Sequence, residues 1–334
     1  MNYGVRVEVV EQPGDLGEAW DDLVERSFNP SPFLRSWWVN GIGPEPGRLH
    51  TPLVFDSGEL IGGLPLVADR LRKVVPHLRP VHGVHDCEIA AASGREAEVA
   101  DAIRRWLERK RVVVDLRCTT SNFAATLTTS RWLLHKNLAA YDELPDTFEA
   151  YLASRSHNRR KIIKRCRRNA EREGISVRLV EGDIAEALDR LRELHLARWQ
   201  ERSAFSPIFP RFSRAAKLGA ARGECVVWEA VRHGIPLASL ACLEAGGCTT
   251  FYQAGRDPGV EFSLGTLLYA AAIERACSRG HRAIDFGYGA IAYKAHLAGK
   301  TRTVGLVRGT SSALLRPVVA QLAAWRGHEA IATY

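Results

Sequence analysis

Long apolar runs are missing from this chain. Its longest uncharged apolar stretches, residues 265–273 and 61–68, fall well short of the ~20 residues a membrane-spanning helix needs. The N-terminus carries no basic-then-apolar leader, so the sequence reads as that of a cytoplasmic protein. Cysteine is sparse and scattered. The seven thiols, at 87, 118, 166, 225, 242, 248 and 277, are odd in number and include no Cys-x-x-Cys pair, which argues against both a disulfide framework and a zinc site. With 334 residues, 46% hydrophobic and 25% charged, the chain has a globular composition and the length for about two domains. A disordered tail, a collagen-like fibre and a small disulfide scaffold are excluded.

Acidic residues are scarce in one place. Between Arg155 and Arg172 nine Lys/Arg stand against one acid, Glu171, and this +8 equals the net charge of the whole chain. Everything outside the segment is formally neutral. The spacing predicts a helix in which Ile162, Cys166 and Ala170 form a narrow apolar stripe and Gly174 ends the run. So many like charges on about five turns repel one another. Arg159, Arg160, Lys161, Lys164, Arg165 and Arg168 are therefore candidates for gripping a polyanion: a transfer RNA, another nucleic acid, an anionic membrane or an acidic polysaccharide. The plain alternative is a solvated connector helix.

Periodicity and turn residues give the order of elements. A strand over 5–10 precedes helices over 15–27 and 32–40, strands over 52–55 and 60–67 joined by Asp56-Ser57-Gly58-Glu59, a Pro-punctuated stretch, and a strand over 88–92. A helix over 95–110 and strands over 112–116 and 132–139 follow. The second half repeats that order: a strand over 175–180, helices over 184–200 and 212–221, and a hairpin over 226–243 turning at Arg232-His233-Gly234. A strand over 249–254, a helix over 264–278 and a strand over 283–286 complete it. Ile175 and Val5, Ser263 and Ser93, and Asp285 and Asp115 are each separated by 170 residues, as in a duplicated domain. The expected organisation is a first domain over 1–145, basic connector helices over 146–174 and a second domain over 175–334.

Strand, two helices, antiparallel meander, helix and parallel strand is an order that resembles the GNAT acyltransferase fold, and two copies resemble the Fem-type transferases. The second half adds Phe251-Tyr252-Gln253-Ala254-Gly255-Arg256-Asp257, Ser263-Leu264-Gly265, Asp285-Phe286-Gly287-Tyr288-Gly289 and Tyr293-Lys294. With His195, Arg198, Trp199, Pro32-Phe33, Trp37-Trp38 and Leu64-Pro65-Leu66, that string is similar to the GNAT-superfamily acetyltransferases associated with cellulose biosynthesis, relatives of the Fem enzymes. The resemblance implies an α/β (α+β) fold of tandem GNAT-like domains, each a mixed, mostly antiparallel sheet flanked by helices.

Ser263, Leu264, Gly265 and Thr266 open a helix, and a helix start offers unpaired N–H groups and a positive dipole end to a phosphate. In GNAT enzymes this helix start holds the coenzyme A pyrophosphate through an Arg/Gln-x-x-Gly-x-Gly/Ala turn; here only a Ser-x-Gly remnant of it stands. The plain alternative is an N-cap at Ser263 and a packing glycine at 265. Asp285 ends a buried strand, where ligands collect in open α/β sheets. It is suited to hold an amine or take its proton, with Tyr252 or Tyr293 as proton donor and Lys294 as oxyanion or phosphate partner. By resemblance the Tyr-Lys pair belongs in or beside the active site. The alternative is a structural Asp capping a loop. His85 and Asp86 form an acidic, imidazole-rich loop able to receive an acceptor amine, and Arg256 is a third candidate substrate contact. His195, with apolar neighbours at helical spacing, reads as a satisfied core histidine.

Three readings follow. The first is an N-acyltransferase taking acyl-CoA as co-substrate, without metal, and a small-molecule or peptide amine as acceptor. The second keeps the fold and takes aminoacyl-tRNA as donor, with residues 155–172 gripping the RNA. The third is a binding protein without catalysis, recruited to a polyanion by its basic arm.

Overall fold

Much of the order that the hydrophobic spacing implies is present, and a helix at Ser121–Leu127, a strand at Lys300–Thr310 and a helix at Arg316–Arg326 are added to it. The computed structural model describes residues 5–326 apart from 13, 28–29, 45–46, 72, 82–87, 128–131, 261–262 and 289–297. Backbone contacts divide it into two units, Met1–Ala139 with Arg302–Tyr334, and Ala140–Thr301.

The first unit opens with β1 (Arg6–Val10), α1 (Glu18–Glu25) and α2 (Ser36–Ile42). Next come β2 (Arg48–Leu49), β3 (Thr51–Asp56), β4 (Glu59–Gly63), β5 (Leu66–Leu71), β6 (Val75–Pro80) and β7 (Ala90–Ala91). α3 (Glu96–Glu108), β8 (Val113–Thr120), α4 (Ser121–Leu127) and β9 (Trp132–Glu143) follow. β1, β3, β4 and β7 form one antiparallel sheet. Trp20, Leu23 and Val24 of α1 and Val99, Ile103 and Trp106 of α3 are buried, as the three-and-four spacing of these helices requires.

Three expectations are corrected here. The strand expected over 60–67 divides at Leu64-Pro65: β4 pairs with β3, and β5 pairs with β6, because proline supplies no ladder N–H at the break. The Pro-punctuated stretch folds into the β5–β6 hairpin, with Asp69 opposite His77. Residues 32–40 hold a short 3-10 turn, Pro32–Leu34, whose N-cap Ser31 accepts from the Phe33 amide, before α2 begins.

The second unit contains α5 (Phe148–Ala153), α6 (His157–Arg172), β10 (Ile175–Val180), α7 (Ala185–Trp199) and α8 (Phe209–Ala221). β11 (Cys225–Arg232), β12 (Ile235–Ala245), β13 (Cys248–Arg256), α9 (Leu264–Ser278) and β14 (Ala283–Tyr288) complete it. The strands lie in the order β10-β11-β12-β13-β14. All neighbours are antiparallel except β13 and β14, which are parallel. The β11–β12 turn has positive φ at His233 and Gly234, matching the twist that a two-residue hairpin needs. α9 packs Leu264, Leu267, Leu268 and Ile273 into a core shared with Leu240, Phe251 and Phe286. β15 (Lys300–Thr310) and α10 (Arg316–Arg326) return the chain to the first unit, where strands run β15-β8-β6-β5-β2.

Both units thus run strand, two helices, antiparallel strands, helix, parallel strand. β13 pairs antiparallel with β12 and parallel with β14. In the first unit these pairings are divided, because β7 takes the antiparallel edge of β4 while β6 takes the parallel pairing with β8.

Candidate active site

The parallel pairing of β13 and β14 is short. It joins Cys248 to Ala283, Thr249 to Ile284 and Thr250 to Asp285, yet β13 continues to Arg256 and β14 to Tyr288. The two strands therefore form a fork that opens at Asp285. Its cause is visible on the other edge of β13, where Ala241 faces Gln253 but Cys242 faces Phe251. Tyr252 is the extra residue of a β-bulge, a device that bends a strand and recurs beside active sites.

Asp285 is 5% exposed. One of its carboxylate oxygens accepts a hydrogen bond from the Gly287 amide at 2.6 Å. Gly287 has φ of 74°, a left-handed conformation that glycine adopts without steric cost. The glycine turn thus fixes the direction of the acid at the base of the fork. Tyr252 is buried and stacks on Phe212 of α8, with ring centroids 4.7 Å apart. Phe205 meets both Phe212 and His195 edge-on. His195 is buried, with its Nδ1 2.7 Å from the Gln253 amide nitrogen and 3.2 Å from the Ala254 carbonyl. Burial lowers its pKa below the ordinary histidine value, and the ring serves as a buttress behind the bulge. Gly255 lets α7 approach: a Cβ there would lie 2.5 Å from the His195 amide nitrogen and 2.8 Å from the Leu191 carbonyl.

The same strand leads into α9. Ser263 caps this helix by accepting from the Thr266 amide at 3.4 Å, and its hydroxyl lies 2.9 Å from that of Thr266. Leu264 is fully buried, and a Cβ on Gly265 would meet only the Tyr269 ring at 3.7 Å. Among the described residues packing therefore does not demand glycine at 265. The first turn holds no acid. Arg256, at the end of β13, donates to the Val260 carbonyl at 3.3 Å, and the Asp257 carboxylate accepts from the Gly259 amide at 2.8 Å. Both residues brace the β13–α9 connection. His85, Asp86, Tyr293 and Lys294 lie outside the described residues.

The corresponding place in the first unit is built differently. β6 and β8 pair in parallel at His77–Val113 and Leu78–Val114, and Asp115 is the next residue. Arg308 of β15 donates one guanidinium nitrogen to both Asp115 oxygens, at 3.2 and 3.3 Å, and both residues are buried. The α3 helix start carries Glu96 and Glu98 in its first turn, with Arg95 paired to Glu98 and Asp56. Acids at that end already complement the helix dipole. Of the two helix starts, only that of α9 has no acid in its first turn.

α6 begins at Ser156, whose hydroxyl accepts from the Arg159 amide. Its buried residues are Ile163, Cys166 and Ala170, and Ile162 is 42% exposed. The expected stripe is corrected by one position, since either isoleucine satisfies helical spacing and only packing against the core decides. The cations separate into groups. Arg155 pairs with buried Asp142 and covers the Tyr151 ring. Burial against Asp142 pushes the Tyr151 phenol up to about 12. Arg159 is partly buried toward the same cluster, which lowers its pKa. Arg160, Lys161, Lys164 and Arg168 instead line a groove, joined by His157 and Arg167, which the sequence reading had not placed there. Arg165 is exposed outside it. Among the described residues no group of three or more His, Cys, Asp or Glu is placed to hold a metal ion, and no helix is long and apolar enough to cross a membrane.

Residues 157–295, from the start of α6 to beyond β14, match the family model of the acetyltransferase (GNAT) domain. No curated protein matches the chain. Among solved structures, the chain resembles FemX at 9% identity, over 94% of this chain and 99% of that one, with a TM-score of 0.67. The lysylphosphatidylglycerol synthase L-PGS of Bacillus licheniformis is similar at 12% identity, over 93% and 96%, with a TM-score of 0.61. The C-terminal domain of a protein assigned as a lysylphosphatidylglycerol synthetase from Agrobacterium fabrum is similar at 13% identity, over 93% and 98%, with a TM-score of 0.62. At these identities the likeness is one of fold. The chain is α/β (α+β), with GNAT-like units in tandem and sheets flanked by helices.

Proposed function

We propose that this chain is an N-acyltransferase that moves an acyl group from acyl-CoA to an amine acceptor. The observation that carries the reading is the fork: β13 and β14 part at Thr250 and Asp285, the Tyr252 bulge lies on one arm, and that arm leads to the acid-free start of α9. The donor is assigned to the second domain, residues 175–334. Its pyrophosphate is assigned to the helix start at Ser263, Leu264, Gly265 and Thr266, where N–H groups and the helix dipole favour an anion. Arg256 is assigned to the acceptor.

The neutral acceptor nitrogen attacks the thioester carbonyl. A C–N bond forms, the C–S bond breaks, and the coenzyme A thiolate leaves. Asp285 takes the amine proton, directly or through water, Tyr252 or Tyr293 protonates the thiolate, and Lys294 stabilises the oxyanion. The deciding experiment is a thermal-melt series with acetyl-CoA, free CoA and a mixed aminoacyl-tRNA pool at low salt. A ligand at a hundredfold over its Kd adds about 2.7 kcal/mol, enough to move the midpoint of a chain this size by several degrees. Stabilisation by CoA species supports the reading.

One observation favours a second donor. Residues 256–265 lack the complete glycine-rich coenzyme A turn, while residues 155–172, which include α6, carry a net +8. In this second reading the donor is aminoacyl-tRNA and the fork receives its aminoacyl ester. A shift with aminoacyl-tRNA and none with CoA selects it. No shift with either overturns both and leaves the non-catalytic binding protein.

A further inference from the structure

In an unbroken strand, neighbouring side chains point to opposite faces of the sheet. Tyr252 and Gln253 do not: the Tyr252 ring stacks on Phe212 of α8, and the next side chain, Gln253, meets His195 of α7. The bulge at Tyr252 is the cause, since it sets two successive residues against one partner. Phe251 takes the other face, edge-on to Phe286 in the core built on α9. Asp285 precedes Phe286 along β14, so it faces away from that core, toward the side that Tyr252 and Gln253 share. Three polar side chains of the fork thus stand on one face, and the chemistry assigned to it leaves Gln253 unused.

Gln253 is partly exposed, and its amide is held from one end. The amide nitrogen lies 2.7 Å from the His195 Nδ1. Such a nitrogen carries two hydrogens and has no acceptor capacity, so Gln253 donates and the ring nitrogen accepts. The second hydrogen is directed to the Ala254 carbonyl at 3.5 Å. With its nitrogen committed to His195, the amide turns its carbonyl oxygen, Oε1, away from the ring. Among the described residues that oxygen has no hydrogen-bond partner. His195 is itself fixed, being buried, stacked on Trp199 and edge-on to Phe205. A ring so closely packed does not turn to follow the amide.

The chemistry of a carbonyl oxygen limits what it can recognise. It accepts a hydrogen bond and gives none, and an ionised carboxylate such as that of Asp285 does the same. A neutral primary amine satisfies both acceptors, because it brings two N–H groups together with the lone pair that attacks. A secondary amine or a hydroxyl brings one hydrogen and leaves one acceptor unmatched. A site built to hydrogen-bond an N–H group discriminates against the analogue that lacks it. The thioester group of the donor brings no hydrogen at all and does not compete for Gln253.

We infer that Gln253 is a specificity residue of the fork, its carbonyl oxygen accepting a hydrogen bond from the nitrogen of the acceptor, and that His195 is the positioning residue that holds the oxygen in that direction. The inference rests on the amine-acylation reading and holds for an acyl-CoA or an aminoacyl-tRNA donor alike.

Two measurements on the full chain test it. The first needs no substrate: nitrogen NMR of protein labelled in its histidine rings, with the His195 signals identified by their loss in His195→Asn. Expected is an unprotonated, hydrogen-bonded Nδ1 whose shift moves in Gln253→Met. A protonated Nδ1 means that the ring donates and the amide is reversed, which overturns the inference. The second is initial-rate kinetics with acetyl-CoA, or with aminoacyl-tRNA if that alone shifts the melt. The acceptors are the best of glycine methyl ester, ethanolamine, spermidine and glucosamine, and the N-methyl form of that amine. Wild type should favour the primary amine about tenfold in kcat/KM. Gln253→Met keeps the length of the side chain without its oxygen, and should raise the amine KM about tenfold, narrow that preference and leave the donor KM unchanged. His195→Leu should raise the amine KM as well. His195→Asn, whose side-chain oxygen stands as many bonds from the backbone as Nδ1 does, should restore it, with melting midpoints confirming the fold of each variant. A donor KM that rises in place of the amine KM overturns the inference, as does a Gln253→Met variant with the wild-type preference. So does a protein that its donor stabilises but that acylates none of these amines. A melt series in which no donor shifts the midpoint instead removes the acyltransferase reading, while the state of Nδ1 is read without any donor, so the two failures are distinguishable.

Discussion

Thr250 and Asp285 are the last residues at which β13 and β14 face each other, and beyond them the strands separate around an acid whose carboxylate is held by the Gly287 amide. If Asp285 takes the acceptor's proton, Asp285→Asn keeps the turn and removes the base. Turnover should fall at least tenfold with acceptor binding intact. A smaller loss in steady-state kinetics removes Asp285 from that role.

Tyr252 separates packing from proton donation. Tyr252→Phe retains the stack on Phe212, so its melting midpoint should stay near that of wild type while kcat falls. Tyr252→Ala loses the ring and should cost about 3–5 kcal/mol by denaturant unfolding. Unchanged kcat in the Phe variant would pass the proton-donor role to Tyr293.

The buried pair in the first unit predicts a stoichiometry. With Asp115 neutralised by Arg308 and the α3 start carrying its own acids, calorimetric titration with acyl-CoA should give one site per chain. Asp115→Ala leaves a buried guanidinium uncompensated and should destabilise by about 3–5 kcal/mol. Two equal sites would contradict the comparison of the units.

Gly255 predicts a steric effect. Gly255→Ala drives a Cβ against the His195 and Leu191 backbone, which cannot yield as a flexible side chain can. The variant should lose about 1–3 kcal/mol, and kcat should fall with it because α7 backs the bulge. A melt indistinguishable from wild type would refute the close approach.

Acid should weaken the fold through His281. Burial, reinforced by Arg279 and Arg275, lowers its pKa from 6.5 to about 4. The folded state thus resists a proton that the unfolded chain accepts, so this stability is complete above pH 6.5 and is lost as pH falls toward 4. At about 1.4 kcal/mol per unit the loss is of order 3 kcal/mol. His281→Gln should flatten the dependence of the melting midpoint over that window.

The sequence displays what is local. The α9 cap at Ser263, the glycine at 174 that follows α6 and the strand that carries Asp285 are each written in a few neighbouring residues. The bulge at Tyr252 is not, because register belongs to β12 as much as to β13. Nor is the Asp115–Arg308 pair, whose members are 193 residues apart. Ile162 and Ile163 satisfy the same helical period, and only tertiary packing chooses between them. The division at Leu64-Pro65 was signalled by a proline, yet the sheet each half would join depended on partners elsewhere.

The first unit is interrupted: β15, with Arg308, arrives after all of the second unit has been passed. On a ribosome the inner unit has its complete set of strands while the outer one still lacks the cation that neutralises Asp115. The nested order of the chain therefore implies an order of assembly, with the domain that carries the fork maturing first and the other closing only as the final segment emerges.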